Sequence, residues 1–196
     1  MAGSLARRLR ALDGDRRGNV TIEAAILLPV LLSMLALGAD AVRYLDTVAR
    51  MERVAATTAD LVARNETVVD RTDFTEPVAN NDLATFLLAA NEVAYPDDLD
   101  ADGRVWVSAV RPGDGGGYTL LWRRTGPYEL DAASRLDTLA ELPTNGTFVV
   151  AEVIFAYDPW ILDTLSAGAF DPVIYRRAIF RPRIAALAEL EAPGDD

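Results

Sequence analysis

The chain has 196 residues, 51% of them hydrophobic, and a formal net charge of −11. It is long enough for one domain plus an anchor and too acidic for a duplex DNA or RNA binder, which needs clustered cations against phosphate. All 19 basic residues are Arg, and Cys, His and Lys are absent, which excludes disulfides, thiolate and imidazole catalysis, Cys- or His-bound zinc, Schiff bases and the P-loop, leaving carboxylate chemistry.

Residues 1–18 form a polar, basic leader, with Arg7, Arg8, Arg10, Arg16 and Arg17 against Asp13 and Asp15. Ala24 to Ala39 carries no charge and is about 24 Å long as a helix. A bilayer core is about 30 Å thick and takes about 20 residues. A membrane span over residues 19–42 therefore has to draw in Val20, Ile22, Ala41 and Val42, which puts Glu23 and Asp40 at its two edges. A carboxylate there is costly and marks Glu23 as a candidate functional residue. The cationic end stays cytoplasmic and the C-terminal part is exported. A secretory signal peptide has the same order, with Ala36-Leu37-Gly38 or Gly38-Ala39 as a loose cleavage site. The long charged leader, Glu23, and the helical pattern that continues past the run weigh against its removal.

Beyond the span, Ala41, Tyr44, Val48, Met51, Ala55, Thr58 and Val62 recur at spacings of three and four, an apolar helical stripe. Asp46 with Arg50 and Asp60 with Arg64 are acid-before-base pairs at four-residue spacing, each worth about 0.2–0.5 kcal/mol. One helix from about Asn19 to Arg64 is expected, its soluble half lying in residues 43–70. Pro29 inside it should kink or locally melt the helix unless neighbours satisfy the freed carbonyl.

Residues 71–188 read as an α+β head and 189–196, ending "EAPGDD", as a flexible tail. Asn81 to Ala94 has helical spacing. Arg104 to Arg111 and Tyr118 to Arg124 are strands around the hairpin loop "PGDGGG". Asp131 to Leu142 is expected to be helical, with Asp131 as N-cap. Thr147 to Tyr157 is the strongest strand, and Val173 to Phe180 is another. A small antiparallel sheet has a face to cover and the long amphipathic helix has a stripe to bury, so the helix should pack on the sheet.

"DDLDADG" presents Asp98, Asp100 and Asp102 before Gly103, which begins like a calcium loop, with alternate carboxylates converging on a hard cation. The twelfth position is Ala109 rather than Glu, although Asp114 is a further candidate ligand from the hairpin loop; an acidic surface turn is the alternative. Glu152 interrupts the strongest strand. It is half of a carboxylate pair for glycosidase-type chemistry, with Asp158 or another acid, or the cross-sheet partner of an arginine such as Arg177, or a residue near a sheet edge. Trp106 and Trp122 on the hairpin strands should make a cross-strand aromatic contact, with a sugar-binding platform including Trp160 as the alternative. Asn65 and Asn145 begin glycosylation-type triplets.

"RRGNVTIEAAILLPVLL", Arg16 to Leu32, places Gly18 before Asn19, Glu23 fifth after the glycine, and then an apolar helix. This arrangement resembles the processing site of type IV pilins and, more closely, the start of the TadE-like family, minor pilins or pseudopilins of bacterial tight-adherence (Flp) pilus assembly systems. Pro29 falls where that family usually has proline. "AEVIFAYDPW" and "YRRAIFRPR" resemble its later strands less specifically. The resemblance implies a non-enzymatic, pilin-like α+β protein with no required cofactor. A prepilin peptidase would cut between Gly18 and Asn19, the anchor would stay in the inner membrane, and the head would be periplasmic or, in an assembled pilus, extracellular. Other pilin-like subunits and assembly proteins are the implied partners, with Glu23 pairing with the new Asn19 amine of a neighbouring subunit. Many type IV pilins begin their mature chain with phenylalanine rather than Asn, so N-methylation is not implied. A plain membrane-anchored exported binding or structural domain, and a carboxylate-dependent hydrolase, are the rival readings.

Overall fold

The computed structural model describes residues 16–75, 79–113, 117–139, 142–143, 145–161, 172–184 and 186–193, with backbone alone for 16–19. The leader up to residue 15, Asp114 and the last three residues lie outside the described residues. Helix α1 spans Arg16–Ala63, starting three residues before the expected Asn19. It continues through Pro29 without the local melting that the proline suggested. Strong helix formers on both sides hold the turn, and Ser33 Oγ donates to Pro29 O at 2.8 Å.

Two short helices follow, α2 (Leu83–Ala94) and the single turn α3 (Leu99–Asp102). Four strands complete the fold: β1 (Gly103–Pro112), β2 (Tyr118–Thr125), β3 (Phe148–Ala156) and β4 (Val173–Phe180). They form one antiparallel sheet in the order β2-β1-β3-β4. The class is α+β, one long helix on a small antiparallel sheet with short extra helices.

The C-terminal half of α1 packs across β3 and β4 and against α2. Met51, Val54, Ala55 and Val62 from α1 meet Leu83, Leu87 and Ala90 from α2, and Val105, Val107, Val149 and Val153 from the sheet. The i, i+3, i+4 spacing of the helix and the period of two in the strands put these residues on facing surfaces. The stripe differs at its start. Ala41 is exposed, and Asp40 holds the inward position, because partners on the head side satisfy its carboxylate.

Central strand β3 is buried on both faces, since the chain between β2 and β3 covers the surface opposite α1. Leu136 and Leu139 pack there on Val110, Phe148 and Val150. The expected helix from Asp131 to Leu142 does not form; one 3-10 turn at Leu136–Thr138 stands in its place. Sheet side chains take the segment's polar groups instead. Arg104 donates to Leu130 O and Tyr128 O, Trp106 Nε1 to Ala132 O at 3.0 Å, and Glu152 accepts from Ser134 and Arg135. A backbone so engaged has no need of intrahelical bonds.

The two hairpin tryptophans do not touch as expected, because they lie on opposite faces. Trp122 is in the core beneath α1 and donates to Leu187 O at 2.8 Å, whereas Trp106 is on the Glu152 face. At the far end of α1, Arg183 N–H and the Asn65 amide group donate to the carbonyls of Ala63 and Leu61. Glu191, read from composition as tail, exchanges backbone hydrogen bonds with Val68 and Asp70 at 2.9 and 2.8 Å.

Candidate functional site

Side chains from Val20 to Leu35 on α1 are exposed all round, among them Ile26, Leu28, Leu31 and Leu35. An apolar helix with no covering face is suited to lipid or to other helices, not to water. This part of α1 is long and apolar enough to cross a membrane. Thr21, Ala24 and Ala25 beside Leu27, Leu28 and Leu31 leave a shallow apolar groove along it, because the small side chains expose the helix surface.

Glu23 is at the N-terminal end of this surface, exposed on the helix. Gly18 and Asn19 have helical backbone, in the first turn of α1. Pro29 lies on the same exposed run. Asn19 and Glu23 are four positions apart, about one turn or 6 Å of rise.

The other edge of the span is built differently. Asp40 is 2% exposed. Its Oδ1 accepts from Trp160 N at 3.1 Å and its Oδ2 from Ile161 N at 3.0 Å, so one carboxylate holds two successive backbone amides of the turn after β3. Asp40 O also accepts from Tyr157 OH at 3.3 Å. Arg43, one turn on, has a guanidinium nitrogen 3.7 Å from Asp40 Oδ1, and its guanidinium carbon is 3.7 Å from the centroid of the Trp160 ring. Tyr44 meets the Tyr157 ring edge to face at 5.3 Å. Burial pushes the Tyr157 hydroxyl above its ordinary pKa, against the opposing pull of Arg43. These contacts clasp the head to the helix where the exposed apolar run ends. The sequence placed Asp40 at a membrane edge; the missed signal was "YDPW", a rigid turn with an amphipathic ring that could meet it.

The acidic motif does not converge. Asp98 caps the N-terminus of α3, its Oδ1 accepting from Asp100 N and Ala101 N at 3.0 and 3.2 Å. One helical turn puts Asp98 and Asp102 on one side, where they line a cleft of about 230 Å³ with Asp97, Asp158 and Arg43. Asp100 points elsewhere and accepts from Asn91 Nδ2 at 2.7 Å. Among the described residues, no three acidic side chains are placed to hold a metal ion.

Glu152 is fully buried. Its carboxylate accepts from Ser134 Oγ, from Arg135 N at 2.9 Å and from Tyr175 OH at 2.8 Å. Arg177, its neighbour in register on β4, instead reaches toward Thr138, so the expected arginine partner is replaced by neutral donors. Held in this way, Glu152 staples Ser134 and Arg135 to the sheet. Trp160 is exposed, apart from the other two tryptophans, so the three form no common platform. No family model, curated protein or solved structure matches the chain.

Proposed function

We propose that this protein is a pilin-like component of a bacterial tight-adherence pilus system, a TadE-like minor pilin or pseudopilin that acts in assembly and not as an enzyme. One observation carries the reading. The run Gly18-Asn19 followed by Glu23 opens a 48-residue helix whose first half is bare and apolar and whose second half belongs to the head. A helix so divided can leave a bilayer for a bundle of like helices without disturbing the fold attached to it. Cleavage by a prepilin peptidase after Gly18 retains the inner-membrane anchor, leaves the new N-terminus on the cytoplasmic face and holds the head in the periplasm. The freed amine of Asn19 is cationic at neutral pH. Pairing with Glu23 of an adjacent subunit relieves the desolvation cost of both charges and sets the axial register between helices.

The test is the intact mass of membrane-extracted protein from cells with and without an active prepilin peptidase. A loss corresponding to Met1–Gly18 that requires the enzyme supports the reading. Full-length mass in both strains returns the protein to the class of plain membrane-anchored exported domains. In cells where cleavage occurs, Glu23→Ala should keep the mature mass but abolish stem-to-stem crosslinks between subunits, and Glu23→Asp should recover part of them.

A further inference from the structure

Trp160 is 66% exposed, yet it is fixed in place. Its backbone N–H is bound to Asp40, the following amide is bound to the other oxygen of the same carboxylate, and Arg43 covers one face of the indole. A large aromatic ring this exposed suits a boundary where its apolar body can leave water. Its level along α1 identifies that boundary. The run Val20–Ala39 is about 30 Å long as a helix, the thickness of a bilayer core, and Asp40 and Arg43 follow it immediately. On the outer side of α1 the apolar surface continues through Val42 and Leu45, 68% and 63% exposed, and stops at exposed Asp46. Trp160 and Arg43 are thus level with the end of the apolar sleeve.

We infer that Trp160, backed by Arg43, is an interfacial anchor of the head domain, lying in the headgroup layer of the membrane that α1 crosses. The indole ring is placed at the boundary that Trp favours, with the Arg43 guanidinium stacked on it at headgroup level. Asp40 presents no bare carboxylate to lipid because two amides and Arg43 occupy it. The anchor fixes the height and tilt of the head above the bilayer, and release from the membrane frees the same ring. Asp97, Asp98, Asp102 and Asp158 border the neighbouring cleft, so anchoring is driven by the indole and does not require anionic lipid.

This inference rests on the membrane-span part of the proposed function, and the experiment separates the two. Full-length protein and Trp160→Phe are reconstituted into phosphatidylcholine vesicles whose acyl chains carry bromine at shallow or deep positions. Flotation with the vesicles reports the span, and quenching of tryptophan emission reports the indole. The expected result is flotation of both proteins, quenching of the wild type that is stronger with shallow than with deep bromines, and loss of that quenching in Trp160→Phe. Far-ultraviolet circular dichroism should be the same for the two. Flotation with equal quenching in both proteins, or with quenching strongest from deep bromines in the wild type, overturns the interfacial anchor and leaves the span standing. A photo-crosslinker at position 160 that joins two copies in unbrominated vesicles, with no lipid quenching, makes the ring a subunit contact and likewise overturns it. Failure to float overturns both.

Discussion

Asp40 and Glu152 are both fully or almost fully buried acids, and each takes two donors from a segment outside the long helix and the strands. Removing either leaves those donors unpaired, which costs about 1–3 kcal/mol for a buried group. Asp40→Ala should therefore destabilise the head by about 1–3 kcal/mol. It should also speed amide hydrogen exchange at Trp160 and Ile161 more than anywhere in the sheet, whereas Asp40→Asn should keep part of the protection. Tyr175 supplies a pH test. Burial, and then its hydrogen bond to Glu152, raise its pKa to about 12. A hydroxyl whose pKa is raised by folding favours the fold below its ordinary value near 10. That contribution is present below about pH 10 and is lost as pH rises from about 10 to 12. Denaturant midpoints should fall across that window, and the fall should be shallower in Tyr175→Phe. The choice of donors at Glu152 was hidden from sequence, because its neighbour in register, Arg177, is a stronger partner on paper than a serine, a tyrosine and one amide from a loop.

At the scale of elements, period and turn chemistry located α1, α2 and the four strands within a few residues. The misses were the helical turn α3 and, at greater length, the segment from Asp131 to Leu142. Its leucine spacing is compatible with a helix, but Trp106, Arg104 and Glu152 on the sheet satisfy its backbone as an irregular cover, and tertiary partners override a weak local preference. Leu136→Ala should accordingly cost about 2–4 kcal/mol, as for a buried leucine in a core, and not the few tenths of an exposed helical site; urea midpoints read the difference. Gly103 tests the join between α3 and β1. A Cβ added there would come 2.4 Å from Leu99 Cδ2 and 3.2 Å from Leu99 Cα and O. Side-chain movement alone cannot relieve contact with backbone, so Gly103→Ala should destabilise by about 1–3 kcal/mol, measured in the same titration.

The whole molecule divides at Asp40 into a bare apolar helix and a packed α+β body. A chain beginning at Asp40 keeps the clasp, the α1 face on the sheet and both clusters of buried apolar residues. It should remain soluble and melt cooperatively without detergent, whereas the full chain should require detergent or lipid. A start at Met51 would discard Asp40, Tyr44 and Thr47 and should melt lower, as read by circular dichroism.

The sequence by itself determined the two-part plan and the candidate processing stretch. An apolar run that reaches membrane length with an acid at each edge, a helical stripe that continues beyond it and alternating strands are local patterns, and the Gly18–Glu23 spacing is written in a single line of residues. Tertiary structure alone decided which polar groups meet. The distance between Asp40 and Trp160 along the chain is 120 residues, and no local pattern reports it. The one-turn geometry of α3 parted Asp100 from Asp98 and Asp102, and the pleat of the sheet set Trp106 and Trp122 on opposite faces. Buried polar groups take the partners that folding brings within hydrogen-bond reach, and that choice depends on how the helix, the sheet and the loops pack against one another.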